Sequence, residues 1–299
     1  MKRTVLLGLA LVLLIAWGSV QAQEGVGAGA TFKFGVDARA LAMGGAFVAV
    51  VNGYSAPYWN PAGLAMAVGT HIGGMNTNKF GLGINFNYVG AALELAGFRV
   101  GGAFLGSTIS GIEMFGPGGE PAGMVDDNEL LFLGSTAFAL PLGEMPFVIG
   151  ASAKYYSHSL ADESGTGFGG DLGLLLSMGS MMLGVAATDV GGTQITWSTG
   201  AVDKVDMGIR IGGALNLDAP VPWTVAGQYN VDQESIHLGA EFRLTPQIAL
   251  RVGAQRPKDA DFSFTAGAGL SLGAFSVDAA FIQNQVLGNS LVVSGEFVF

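Results

Sequence analysis

The sequence predicts an all-β fold: a fourteen-stranded antiparallel transmembrane β-barrel with an N-terminal segment folded in its lumen. Three observations predict it. The chain opens on an export signal. It is apolar and poor in charge, yet holds no run long enough for a membrane helix. Beyond residue 67 it reads as short strands of strict period two, even in number, with connections that alternate in length.

Residues 1–22 have a basic start (Lys2, Arg3), an apolar core from Val5 to Trp17 and a small-residue cleavage site at Val20-Gln21-Ala22. That is the pattern of a secretory signal peptide, too short to span a bilayer as a helix. The mature chain is expected to start at Gln23. With no cysteine it carries no lipid-modified thiol, disulfide or thiolate chemistry. Half of the 299 residues are hydrophobic and only 12% are charged, against about 25% in soluble domains. The full chain has a net charge of -10, and removing the two basic leader residues makes the mature chain more acidic still. That sign disfavours a nucleic-acid partner. No mature segment approaches the ~20 apolar residues of a spanning helix. An exported, apolar chain without a helical span points to a barrel.

Residues 23–33 read as a flexible tail; Gly25, Gly27 and Gly29 belong to it and precede any strand, so they do not mark a dinucleotide loop. Residues 34–67 read as a plug. Gly44-Gly45, Asn52-Gly53 and Asn60-Pro61 break this stretch into short pieces, leaving Ala46–Val51 for one short strand.

From residue 68 onward the alternation is explicit. Phe168, Gly170, Leu172, Leu174 and Leu176 oppose Gly169, Asp171 and Gly173. Ile236, Leu238, Ala240, Phe242 and Leu244 oppose His237, Gly239, Glu241 and Arg243. Charge confined to one face at period two is a strand signal. Strands are expected near 68–77, 83–95, 98–107, 128–140, 147–157, 166–177, 181–189, 204–216, 222–231, 235–244, 247–255, 262–272, 274–284 and 289–299. A soluble sandwich would alternate in the same way. Connections expected to be short after strands 2, 6, 10 and 12, and long after 3, 5, 7, 11 and 13 (108–127 and 190–203 above all), instead fit short periplasmic turns and longer outer loops. The last strand ends on Phe299, like the signal read by the outer-membrane assembly machinery, which is therefore an expected partner beside membrane lipid.

With apolar faces toward lipid, the lumen receives Lys154, Asp171, Asp206, Arg210, His237, Glu241, Arg243, Arg251, Asp278 and Glu296, and a cross-strand ion network is expected among Glu241, Arg243, Arg251, Arg210 and Asp171. Inward glycines such as Gly101, Gly150, Gly173, Gly239 and Gly253 leave room for the plug to approach the wall. Aromatics at strand ends (Tyr155, Tyr156, Trp197, Trp223, Phe281, Phe299) fit interfacial girdles. His71, His158 and His237 lack metal-ligand spacing and no nucleophile motif occurs, so neither an enzyme nor a cofactor is expected.

The block Arg39-Ala-Leu-Ala-Met-Gly-Gly-Ala-Phe-Val-Ala-Val with Tyr58-Trp-Asn-Pro-Ala-Gly-Leu-Ala resembles the N-terminal hatch of FadL-like outer-membrane proteins, and within them the PorV/PorQ type. Leu183–Gly200 and the ending from Val277 resemble that type too. The resemblance implies residence in a Gram-negative outer membrane and one of two roles. The first is passive transport of hydrophobic small molecules, with Asn60, Pro61 and Ala62 as the hatch motif and Met43, Gly44, Gly45 and Phe47 as its mobile part. The second is a barrel that docks or anchors secretion or cell-surface attachment machinery. The compact outer loops argue against a large external ligand pocket, and an open porin fits least because the hatch would block the lumen.

Overall fold

We describe residues 29–80, 83–95, 98–142, 145–218, 220–284 and 288–299 of a computed structural model of the chain. The predicted signal peptide and residues 23–28 of the predicted tail lie outside them. The strands are β1 (His71–Lys79), β2 (Ile84–Leu95), β3 (Phe98–Phe115), β4 (Pro121–Leu142), β5 (Met145–Leu160), β6 (Glu163–Met178), β7 (Met181–Thr188), β8 (Thr193–Trp197), β9 (Val202–Val205), β10 (Gly208–Leu217), β11 (Trp223–Asn230), β12 (Ser235–Arg243), β13 (Ile248–Arg256), β14 (Ser263–Leu272), β15 (Phe275–Ile282) and β16 (Ser290–Val298).

Sixteen strand segments make a fourteen-stranded wall. β8 continues β7 along β6, and β9 continues β10 along β8, each past a short irregular stretch. All ladders are antiparallel, and β1 closes the barrel by pairing with both β2 and β16. Closure leaves no edge and satisfies the backbone from strand to strand, as a bilayer requires.

The alternation resolves as expected. Val89, Leu172, Leu238, Val252, Phe281 and Leu291 point outward and are exposed, while Asp171, Glu241 and Arg251 point inward and are buried. An exterior this rich in apolar side chains is untenable in water and natural in lipid. The protein is an integral outer-membrane barrel. Phe104, Phe132, Tyr155 and Phe168 form a row across four adjacent strands on the outside, with ring centroids 5.1, 6.2 and 5.1 Å apart, the pattern of an interfacial girdle.

Several sequence expectations need correction. Stretches 108–127 and 190–203 are not loops. β4 alone runs 22 residues, about twice what a tilted crossing needs, so the β3–β4 hairpin stands well above the membrane and turns only at 116–120. β8 and β9 likewise extend the wall. The connection after β5 is the two-residue turn Ala161-Asp162, not a long loop. Asp206 lies outside the lumen, exposed and paired with Lys204 at 2.9 Å. Tyr156 is buried against the lumen rather than in a girdle, and Trp197 sits on the outer hairpin, bonded to Asp203. The tail is ordered from Gly29: Ala30–Lys33 make a 3-10 turn that buries Phe32.

Residues 29–67 fill the lumen. Their helices are α1 (Ala38–Ala42) and α2 (Ala56–Trp59), joined by 3-10 turns at Gly53–Ser55 and Pro61–Met66. Asp37 caps α1 by accepting from the Arg39 amide, and Asn60 caps the Pro61–Met66 turn by accepting from the Ala62 amide. Pro57 and Pro61 occupy first-turn positions, where the missing N–H costs nothing. Ala46–Val51 makes turns, not the expected strand. The amides of Phe47 and Val48 donate to the Gln228 side chain, and the Val48 carbonyl accepts from Asn60, so this segment finds its partners without a ladder.

Candidate functional site

The site is the interface between plug and wall. Its shape is set by missing side chains. A Cβ at Gly253 would overlap the Gly44 amide nitrogen, one at Gly239 would strike Met43, and one at Gly150 or Gly173 would strike Asn60, Pro61 or Ala62. Gly101 makes room in the same way for Leu64, and Gly184 and Gly212 for Val48. The wall is grooved with glycine where the plug runs, which lets backbone meet backbone.

Hydrogen bonds hold the plug in this groove. Asn60 is fully buried. Its Nδ2 donates to the Val48 carbonyl at 3.0 Å and to the Leu174 carbonyl of β6 at 3.1 Å, while Oδ1 accepts from the Ala62 amide at 3.1 Å. Asn60, Pro61 and Ala62 therefore pin one plug turn to β5 and β6. Met43 and Gly44 lie against β12–β14: the Gly44 amide donates to Thr265 Oγ1 at 3.1 Å, and Thr265 donates to the Ala42 carbonyl at 2.8 Å. His237 Nδ1 lies 2.7 Å from the Gly44 carbonyl, which fixes the proton on Nδ1 and leaves Nε2 to accept from Asn230 and Ser235. Gly45 packs beside the same imidazole, and Phe47 stacks edge-on against Trp59 at 5.9 Å.

The expected single ion network is three separate groups. The inner one joins plug to wall. Arg39 of α1 donates from Nε and Nη2 to the two oxygens of Glu241 at 2.8 and 3.1 Å. Arg251 donates to Glu241 at 2.7 Å and to Asp278 at 2.5 Å. Arg243 only fringes it, at 3.5 Å from Glu241 and more than half exposed. Although burial works against its charge, Glu241 raises the Arg39 guanidinium above its ordinary value. The second group lies toward the outer end and is wall alone: Lys154 meets Asp171 at 3.1 Å and Asp189 at 2.8 Å, and Tyr156 donates to Asp189 at 2.8 Å. Arg210 stands apart, donating to the Tyr58 and Trp59 carbonyls at 3.1 and 3.4 Å with its guanidinium over both rings.

Asp37 was not singled out in the sequence. It is buried, has a left-handed φ of 72°, and accepts from Ser55 Oγ at 3.0 Å, the Arg39 amide at 3.0 Å and Ser294 Oγ of β16 at 3.4 Å. Burial, with Asp278 adding to it, pushes its carboxyl up to about 6. One signal could have found it: Asp37 and Arg39 are the only charged residues in 34–67. Gln228, Thr265 and Ser294 were readable only as polar residues on inward faces.

Two cavities border the plug. One, of about 30 Å³, lies beside Phe32, Tyr58, Lys154 and Arg210 and admits roughly one water. The other, of about 260 Å³, lies by Arg39, Glu241, Arg243, Trp223 and Thr224 at the inner end.

No family model and no curated protein matches the chain. Solved structures do. The Pseudomonas putida toluene transporter TodX aligns with a TM-score of 0.63 and 14% identity over 89% of this chain and 99% of that one. The Ralstonia pickettii toluene transporter TbuX aligns at 0.59 and 14% over 89% and 98%. A Pseudomonas aeruginosa FadL homologue aligns at 0.58 and 10% over 88% and 98%. The chain shares the closed, fourteen-stranded outer-membrane barrel fold of these FadL-type proteins.

Proposed function

We propose that the protein carries small hydrophobic molecules passively across the outer membrane, with rearrangement of the plug opening the path. The observation that supports this reading is the way the plug is held. It is seated in a glycine-lined groove by hydrogen bonds and two ion contacts, Arg39–Glu241 and Lys33–Asp232, contacts that can break and reform, inside a barrel whose fold is that of toluene transporters. Met43, Gly44, Gly45 and Phe47 would swing, and Asn60 would hold the resting position. The chemistry is displacement and diffusion, with no bond made or broken.

A second reading, the PorV/PorQ-type docking barrel, is favoured by a specific observation. The ladders run continuously round the wall and the plug fills the lumen, so this conformation offers no lateral opening. Native mass spectrometry of the gently extracted protein, paired with toluene uptake into proteoliposomes, separates the two. Transport predicts uptake above empty liposomes and a changed rate for Asn60→Ala, which loses the plug's bond to the Leu174 carbonyl of β6 and two bonds within the plug. A stoichiometric second polypeptide together with background uptake would overturn transport in favour of docking.

A further inference from the structure

Three side chains that neither reading uses converge at the outer mouth of the barrel. Asp127 and Glu129 are two residues apart on the inward face of β4, and His158 on β5 is the direct ladder partner of Glu129. Such spacing places all three on one face. Their ligand atoms lie within 4.8 Å of one another, and each residue is half-buried. His158 Nε2 is 2.7 Å from Asp127 Oδ1, and the Trp197 ring, 4.8 Å from the imidazole, limits its rotation.

The charges do not balance. Among the described residues neither carboxylate is paired with a Lys or Arg; Asp127 meets only His158, and Glu129 accepts from the Thr31 hydroxyl at 2.6 Å. Two adjacent, partly desolvated carboxylates repel unless a cation sits between them. The imidazole nitrogen beside them can join the carboxylates in holding a metal ion.

We infer that Asp127, Glu129 and His158 bind one divalent cation of the zinc class at the barrel mouth. One imidazole nitrogen and two carboxylate oxygens suit Zn²⁺, which takes mixed N/O ligands at four-coordinate sites. Ca²⁺ wants six to eight oxygens, which this corner does not offer. Bonds of ~2.0–2.1 Å in a tetrahedron set ligand atoms ~3.4 Å apart, so closure from the observed spread needs side-chain shifts on the order of 1 Å. The ion's fourth position would face the lumen above the plug. Thr31 of the plug competes for Glu129, so ion binding and the seating of the plug's outer end are opposed.

Isothermal titration of the untagged, detergent-solubilised full chain, first stripped with chelator, tests this directly with Zn²⁺ and Ca²⁺. One Zn²⁺ per barrel is expected, weakened at least about tenfold by His158→Ala and by Glu129→Gln, as for loss of a ligand. His71→Ala, at the opposite end of the barrel, leaves the titration unchanged. Cobalt in place of zinc gives a visible absorption band that His158→Ala abolishes. Folding of each variant is checked by its migration on unheated gels. Glu129→Gln keeps the test decisive if His158→Ala misfolds. Absence of Zn²⁺ binding, equal binding by the variants, or preference for Ca²⁺ would each overturn the assignment.

Discussion

The two large charge groups of the lumen look alike on paper and differ in what they connect. Each gathers two carboxylates around a buried basic side chain. In the outer group Lys154, Asp171 and Asp189 all belong to the wall and its outer continuation, so the group braces the barrel against itself. In the inner group Glu241 is shared between Arg251 of the wall and Arg39 of the plug. The same chemistry is a brace in one place and a latch in the other. Removing one partner of a buried pair leaves an uncompensated charge and costs about 3–5 kcal/mol. Glu241→Gln and Lys154→Met should therefore both lower the unfolding midpoint in denaturant by comparable amounts. Only Glu241→Gln should also expose the plug to limited proteolysis in the folded barrel. Equal protease resistance of the two variants would erase the distinction between latch and brace.

The second effect turns on pH and belongs to the latch side alone. Asp37 sits beside Arg39 in the plug, and burial lifts its carboxyl from 3.8 to about 6. A raised value means that the seated plug prefers the protonated acid. The stability this group contributes is complete below pH ~4 and is lost as pH rises through about 6. On linkage arithmetic the span is on the order of 3 kcal/mol, at 1.36 kcal/mol per unit. Asp278 and Glu296 on the facing strands push the same way, and Arg39 opposes them. Protease resistance of the plug should fall as pH rises from about 4 to about 6 in the native chain, level off above that, and stay flat throughout in Asp37→Asn. A native profile as flat as that of Asp37→Asn would remove Asp37 from the latch.

The wall was legible in the sequence because it separates two media. Lipid outside and a hydrogen-bonding, glycine-seated plug inside force opposite demands on successive residues, so Leu238 and Glu241 announce their faces without any knowledge of partners. The same logic explains where the reading failed. Above the membrane the β3–β4 hairpin meets water on both faces, so Ile112 to Phe115 are all exposed, no alternation survives, and Gly116-Pro117-Gly118-Gly119 dominates the pattern. The plug was legible only as a set of breaks. Its partners lie far away in sequence: Arg39 and Glu241 are 202 residues apart, and Asn60 and Leu174 are 114 apart. The inward face of Glu241 could be read, but not which of the inward cations reached it. That is why one expected network became three groups.

The glycine groove offers a smaller perturbation that needs no charge. Gly253 faces the Gly44 amide, and Gly134, on the outer face of β4, faces open space. Added methyl groups in a packed interface cost about 1–3 kcal/mol. Gly253→Ala should loosen the plug by that amount, read as faster proteolysis, whereas Gly134→Ala, pointing into lipid, should leave it in place. If both variants behave alike, the inward glycines are not a track for the plug.

The smallest effect is expected at the plug's outer end, where the latch contrast is sharpest. Lys33 meets Asp232 at 3.3 Å, but its side chain is 39% exposed. An ion pair in that setting is worth about 0–1 kcal/mol, because water screens it and ordering a long side chain offsets the gain. Arg39 makes a bidentate contact with a carboxylate that is almost wholly enclosed. Lys33→Ala should leave proteolysis and unfolding within about 1 kcal/mol of the native chain, and added salt should shrink even that difference. Should Lys33→Ala release the plug as Glu241→Gln is expected to, the hold would lie at the outer mouth, and the inner group would be a second brace.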